Sequence, residues 1–312
     1  MHRFWLLAAV AGLASAATFL GGVMAGLIGS YSGFLLVYLS PTPLFAAAFG
    51  VGGLAAIAAA GTGTLAVMLI SGLPQGLAYA ALAAVPAAVL GRQAMLSRGD
   101  AEGGVEWYPP GALAGWLCGL GMMVFVLLSL LLASQPAGLS GTVKDMLSEL
   151  ADWMAVADED KDVFMGLLHP VLPGAAIAFL MLIQVVNGAL AQGLLVAATR
   201  NIRPTPDFGT LELPGWIAPA GAAAAVAAIV FGGDFGYFAR NLLIVITVPF
   251  FLQGLSVVHV LARRTGGGTM LLAVFYMTLI VLGWVVAIVL VLVGLAEQII
   301  GIRRRLSGGD SV

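Results

Sequence analysis

Polar side chains inside apolar stretches are the residues that could do chemistry in this chain. Gln253, Ser256 and His259 lie in one such stretch, residues 239–266, ARNLLIVITVPFFLQGLSVVHVLARRTG, downstream of Pro249. At about 100° per residue, Asn241, Ser256, His259 and Arg263 fall within about 120° on one side of Gln253. Leu252 and Val260 share that sector. A second set, Gln184, Asn187 and Gln192, lies in residues 171–198. Amides, a hydroxyl and an imidazole donate and accept hydrogen bonds, and the imidazole titrates near neutral pH. That inventory suits holding a small polar solute or tying helices together.

The elements that position them follow from composition. Hydrophobic residues make up 61% and charged residues 9%, against about 25% charged in a soluble domain, and the mean hydropathy is +1.06. The expected fold is an all-α, polytopic bundle of about eight spans forming one integral membrane domain over residues 1–312. The spans fall near 4–28, 43–60, 65–90, 112–133, 171–198, 216–231, 239–262 and 270–295. The first has a basic start and an Ala14-Ser15-Ala16 sequence like a signal-peptidase site. Residues 18–28 continue apolar, so it is read as a span. Gly61-Thr62-Gly63 is expected to break the second span from the third, and residues 91–104, with Arg92, Arg98, Asp100 and Glu102, form a polar loop. In this count Lys and Arg divide seven to six between the two sides, so the positive-inside rule does not decide, and the basic N-terminus tips the reading toward both termini inside. A net charge of −2 lacks the basic footprint of a nucleic-acid partner. Cys118 is the single cysteine, so no internal disulfide forms, and its apolar surroundings suit an inert thiol. Membrane lipid is the expected partner, and no cofactor is implied.

The stripe on residues 239–262 must face protein or water, because lipid offers no hydrogen-bond partner. Spans five and seven run in the same direction. Asn187 lies about sixteen residues into one, and Gln253 and Ser256 about thirteen to sixteen into the other, which places them at similar depth near the midplane. Two readings stand. The residues serve as interhelical hydrogen-bond glue, worth about 0.6–2 kcal/mol per bond. Alternatively Gln253, Ser256, His259, Asn187 and Gln184 line a solute site, as transporters bind substrate at interrupted helices. Pro249 would free the carbonyl of Val245 and supply the interruption.

Several patterns point elsewhere. Residues 134–166 are the longest polar stretch, and an amphipathic helix is expected over 142–157. Val143, Met146, Leu147, Leu150 and Met154 would form its apolar face, and Thr142 with Asp145 its capping box. Asp158-Glu159-Asp160-Lys161-Asp162 has carboxylates at calcium-loop spacing. Val163 replaces the turning glycine and His169 the bidentate glutamate, so a solvated acidic run is expected instead. Gly138-Leu139-Ser140-Gly141 matches the Gly-x-Ser-Gly of rhomboid proteases. Ser140 precedes an acidic interfacial helix rather than opening a membrane one, and the sequence around His259 departs from that family's Ala-His-x-x-Gly. No His-Glu-x-x-His helix and no phosphate-binding loop occurs, so no metal site and no enzyme is expected. Gly22 with Gly26, Gly29 with Gly33, and Gly111, Gly115, Gly119 permit close helix approach, within the chain or with a membrane protein partner.

WYPPG at 107–111, the Asn187 helix, RPTP at 203–206, FLQGLSVVHVLARR at 251–264 and the closing GLAEQIIGIRRR together resemble the YybS-like bacterial membrane proteins, domain of unknown function 2232. That family is similar to the substrate-binding S components of energy-coupling-factor transporters, which capture vitamins or metal ions and work with ATPase partners. The resemblance implies a transport-like role in the bacterial inner membrane and carries over no ligand residue. The alternative is a non-transporting scaffold or envelope factor whose polar residues serve packing.

Overall fold

The computed structural model describes residues 2–99 and 104–308; Asp100 and Glu102 of the polar loop lie outside them. The protein is an all-α membrane bundle, and its backbone gathers into two compact units. The first comprises Met1–Leu113 and Leu180–Asp207, the second Ala114–Phe179 and Phe208–Val312.

The first unit opens with α1 (His2–Leu27), α2 (Ser32–Leu39), α3 (Thr42–Val51) and α4 (Gly53–Ser71). Next come α5 (Leu73–Tyr79), a π-helical turn Ala80–Ala84 and α6 (Val85–Ala94). The expected spans 43–60 and 65–90 are thus replaced by three membrane-length helical segments, Ser32–Val51, Gly53–Ser71 and Leu73–Ala94. The breaks fall at Gly52 (φ 133°) and Gly72 (φ 94°), where the backbone takes conformations open chiefly to glycine. Gly61-Thr62-Gly63 stays helical. Gly63 serves close approach instead, since a Cβ there would lie 2.6 Å from the Tyr79 hydroxyl and 2.9 Å from the Gly12 carbonyl. Gly22 and Gly33 bring α1 and α2 together in the same way: a Cβ on Gly22 would meet the Gly33 carbonyl at 2.7 Å. Gly29 is a turn residue at φ 78°.

A short antiparallel hairpin, β1 (Ser97–Gly99) and β2 (Val105–Trp107), leads to α7 (Pro110–Ala133). Then follow α8 (Gly138–Trp153), α9 (Asp158–Leu168) and α10 (Leu172–Ala197). Beyond a 3-10 turn at Phe208–Thr210 come α11 (Ile217–Val230), α12 (Gly233–Arg263), α13 (Gly268–Leu282), α14 (Trp284–Ile300) and α15 (Ile302–Gly308). The expected last span 270–295 is two helices parted at Gly283 (φ 41°), of 15 and 17 residues. α11 has 14 residues. α12 is the long rod, 31 residues with Pro249 inside it.

In the second unit α8 begins four residues earlier than its sequence suggests. The Asp234 carboxylate, at the start of α12, accepts the backbone N–H groups of Leu139 (2.9 Å) and Ser140 (3.1 Å). A remote cap therefore sets the helix start, and Thr142 sits a turn inside, bonding the carbonyl of Gly138 rather than opening a capping box. The buried face shifts accordingly to Leu139, Val143, Leu147 and Ala151, while Met146, Leu150 and Met154 are exposed. Leu139 and Val143 pack on Tyr237. The acidic run is the first turn of α9, where carboxylates suit the helix dipole. Lys161 bridges Asp152 and Asp158 and lowers the pKa of the Asp158 carboxyl.

Candidate functional site

The five polar residues singled out from the sequence divide between the units, Gln184 and Asn187 in the first, Gln253, Ser256 and His259 in the second. In the first unit their partners trace back to prolines. Pro86 has no N–H to offer the carbonyl four residues back, that of Leu82. Gln184 Nε2 donates to that carbonyl at 2.7 Å, beside the π-helical turn. Pro41 breaks the helix between α2 and α3. There Asn187 Nδ2 donates to the carbonyls of Tyr38 (2.8 Å) and Ile183 (2.7 Å), and its Oδ1 accepts from Thr42. Ser15 donates to the carbonyl of Ser40 at the same break. Asn187 is thus bonded through both ends of its amide. Gln184 Oε1 is buried without a partner.

These assignments make a test. Gln184→Leu removes the side-chain donor to the Leu82 carbonyl, a loss expected at about 0.5–1.5 kcal/mol. Pro86→Ala restores an N–H four residues on, so in the double variant the Gln184→Leu penalty should shrink. Equal penalties with and without the Pro86→Ala change, measured by unfolding in detergent, would discard the link.

Arg203 closes one end of this unit. Its Nη1 donates to the carbonyl of Ala94 and its Nη2 to that of Tyr108 at 2.8 Å, with the guanidinium over the Trp107 ring. Burial pushes its pKa down, and Nε has no partner. Gln192 Nε2 donates to the Arg203 carbonyl at 2.9 Å. A cleft of about 310 Å³ lies against the hairpin, bounded by Leu96–Arg98 and Glu106–Pro109; Arg98 and Glu106 pair within it at 2.7 Å.

The second unit holds the denser polar centre. Ser256 donates to the carbonyl of Phe208 (2.8 Å) and accepts from Arg303 Nη1 (3.0 Å). Arg303 is paired with Glu297 at 2.8 Å, and their side chains are only 12% and 5% exposed. It also donates to the carbonyls of Gly209 and Leu211. One turn away Gln253 Nε2 donates to Gln298 Oε1 at 3.0 Å, while Gln253 Oε1 is buried without a partner. His259 bonds the Leu255 carbonyl through Nδ1 and faces the Tyr276 hydroxyl at 3.3 Å through Nε2. Asn241, at the other end of the stripe, accepts from the Gly174 N–H and donates to the carbonyls of Pro170 and Tyr237. Sequence reasoning missed Glu297 and Arg303. The available signal was a lone carboxylate following a long apolar run, six residues before an arginine cluster.

Ser140 meets His169, not His259. His169 Nε2 donates to the Ser140 carbonyl at 2.9 Å and lies 3.3 Å from its Oγ. A nitrogen that carries its proton toward a carbonyl is not poised to take one from the hydroxyl. Among the described residues, no three His, Cys, Asp or Glu side chains cluster to hold a metal ion.

The stretches FLQGLS and AEQIIGIRRR thus meet at one polar centre, and WYPPG and RPTP meet at another. Residues 16–296 match the family described as predicted membrane protein, DUF2232. The chain belongs to this family. No curated protein and no solved structure matches it. Membership agrees with the apolar helices in making it a multi-pass integral membrane protein in contact with lipid.

Proposed function

We propose that this DUF2232 protein binds a small polar solute at the Gln253–Ser256–Arg303–Glu297 centre of its second unit. It would act as a non-catalytic, transport-like component of the bacterial inner membrane. The carrying observation is Gln253 Oε1, 2% exposed as a residue and without a donor. A buried acceptor left open costs free energy unless something fills it. It stands beside an ion pair on a proline-containing helix, the setting in which intramembrane charge marks a functional site. The ligand chemistry that fits is a solute presenting an N–H or O–H donor to that oxygen. The likeness to YybS-like proteins and to S components supports a capture role that relies on a separate energy-supplying partner. His259 lies one turn beyond Ser256 and belongs to the same proposed site.

A second reading, packing alone, is favoured in the first unit, where Asn187 and Gln184 complete proline-broken helices. Those two residues drop out of the proposed ligand set.

A solute screen by thermal shift tests the proposal, since a ligand that binds only the folded protein raises its melting temperature. A hit should lose its shift in Gln253→Leu and keep it in Asn187→Leu. A hit indifferent to Gln253→Leu places the site elsewhere.

A further inference from the structure

The helix breaks redistribute the positive charge. In the first unit a Cβ on Gly53 would lie 3.1 Å from Arg92 Cα, Ile202 N–H donates to the Phe49 carbonyl, and Arg203 holds Ala94 and Tyr108. Those residues share one end. Ser15 meets Ser40 while Gly22 meets Gly33, so α1 runs antiparallel to α2–α3 and Arg3 comes level with Val51 at that same end. All five basic residues of this unit, Arg3, Arg92, Arg98, Arg200 and Arg203, therefore lie there. The opposite turns, residues 28–31 and Gly72, carry none.

In the second unit α13 and α14 span only about 22 and 25 Å at 1.5 Å per residue, each short of a hydrocarbon core of about 30 Å. Gly268, at the foot of α13, abuts the Ala262 carbonyl near the end of α12. At the foot of α14, Gln298 and Arg303 bond Gln253 and Ser256, in the last third of α12. Midway along, Gly294 abuts the Phe250 carbonyl. The pair is a hairpin turning at Gly283, and it returns Arg303–Arg305 to the side of Arg263 and Arg264. The other end of this unit has Lys144, Lys161 and Arg240 beside the acidic helices α8 and α9.

Taken unit by unit, five basic residues lie at one end against none at the other in the first, and five against three in the second. We infer that these two basic ends face the cytoplasmic leaflet and contact its anionic headgroups through their exposed arginines, the buried Arg203 and the largely buried Arg303 excepted, with α8 and α9 on the outer face.

Cysteine labelling tests this in a Cys118→Ala background, using a membrane-impermeant maleimide on spheroplasts. Ser32→Cys and Ser148→Cys should react from outside. Ser97→Cys, Thr265→Cys and a reporter at the C-terminus should respond only after permeabilisation. The reverse pattern overturns the orientation, and a C-terminal reporter on the side opposite Thr265→Cys overturns the hairpin. For the lipid contact, nanodiscs of phosphatidylglycerol should raise the melting temperature above that in phosphatidylcholine, an advantage removed by high salt. Equal melting in the two lipids rejects the headgroup contact.

Discussion

Glu297→Ala should lower the unfolding free energy by about 3–5 kcal/mol, the cost of leaving one partner of a buried pair without its counter-charge. Arg303 is held on three further acceptors besides Glu297: the carbonyls of Gly209 and Leu211 and the Ser256 hydroxyl. Those contacts keep the guanidinium in place once the carboxylate is gone. The double variant Glu297→Leu, Arg303→Met removes both charges at similar volume and should recover most of the loss. Arg303→Lys should not, because an ammonium lacks the planar fork that reaches several acceptors at once. Reversible unfolding in mixed micelles reads all four proteins. A double variant as unstable as Glu297→Ala would show that the damage comes from lost packing rather than from stranded charge.

Gly294→Val should separate α14 from α12 and cost more than about 3 kcal/mol, at or beyond the upper end for overpacking. The contact is reciprocal: a Cβ on Gly294 would run into the Phe250 carbonyl, and one on Gly254 into the Leu290 carbonyl. Both obstacles are backbone, so no side chain can swing aside. Gly119→Ala is the control. A Cβ there meets nothing within 4 Å, and alanine gains about 1 kcal/mol over glycine in a helix interior. Detergent melting should therefore fall sharply for the first and hold or rise for the second. A mild effect of Gly294→Val would mean that the two helices are not in backbone contact.

Much of the bundle was legible in the sequence because hydropathy and glycine spacing are local signals. The polar stripe on α12 follows from residues a few positions apart, as do the small-residue spacings that mark Gly22 and Gly33, though not their pairing with each other. Where helices break was less legible. Gly52 and Gly72 end them while Gly61 and Gly63 do not, because a glycine permits a positive φ without demanding it and the packing around it decides. The start of α8 was hidden for another reason: its cap is Asp234, 95 residues from Leu139. Asn187 and Gln184 were visible as polar intrusions, and depth grouped Asn187 with Gln253. Their partners are instead carbonyls exposed at proline breaks, which Pro41 and Pro86 mark openly. Glu297 stood in plain view six residues from its partner Arg303, but nothing local joins Arg303 to Ser256, forty-odd residues earlier.

The interleaving of the two units along the chain sets an order of synthesis. Everything in the first unit exists once residue 207 is made, whereas residues 114–179 wait for a partner that begins at 208. At about 5–20 residues per second, the 95 residues between Leu139 and Asp234 take about 5–20 s to appear. For that interval α8 has its apolar face formed and its first turn uncapped. A nascent chain stalled before residue 234 should therefore show α8 open to protease, and one stalled a few turns later should show it protected.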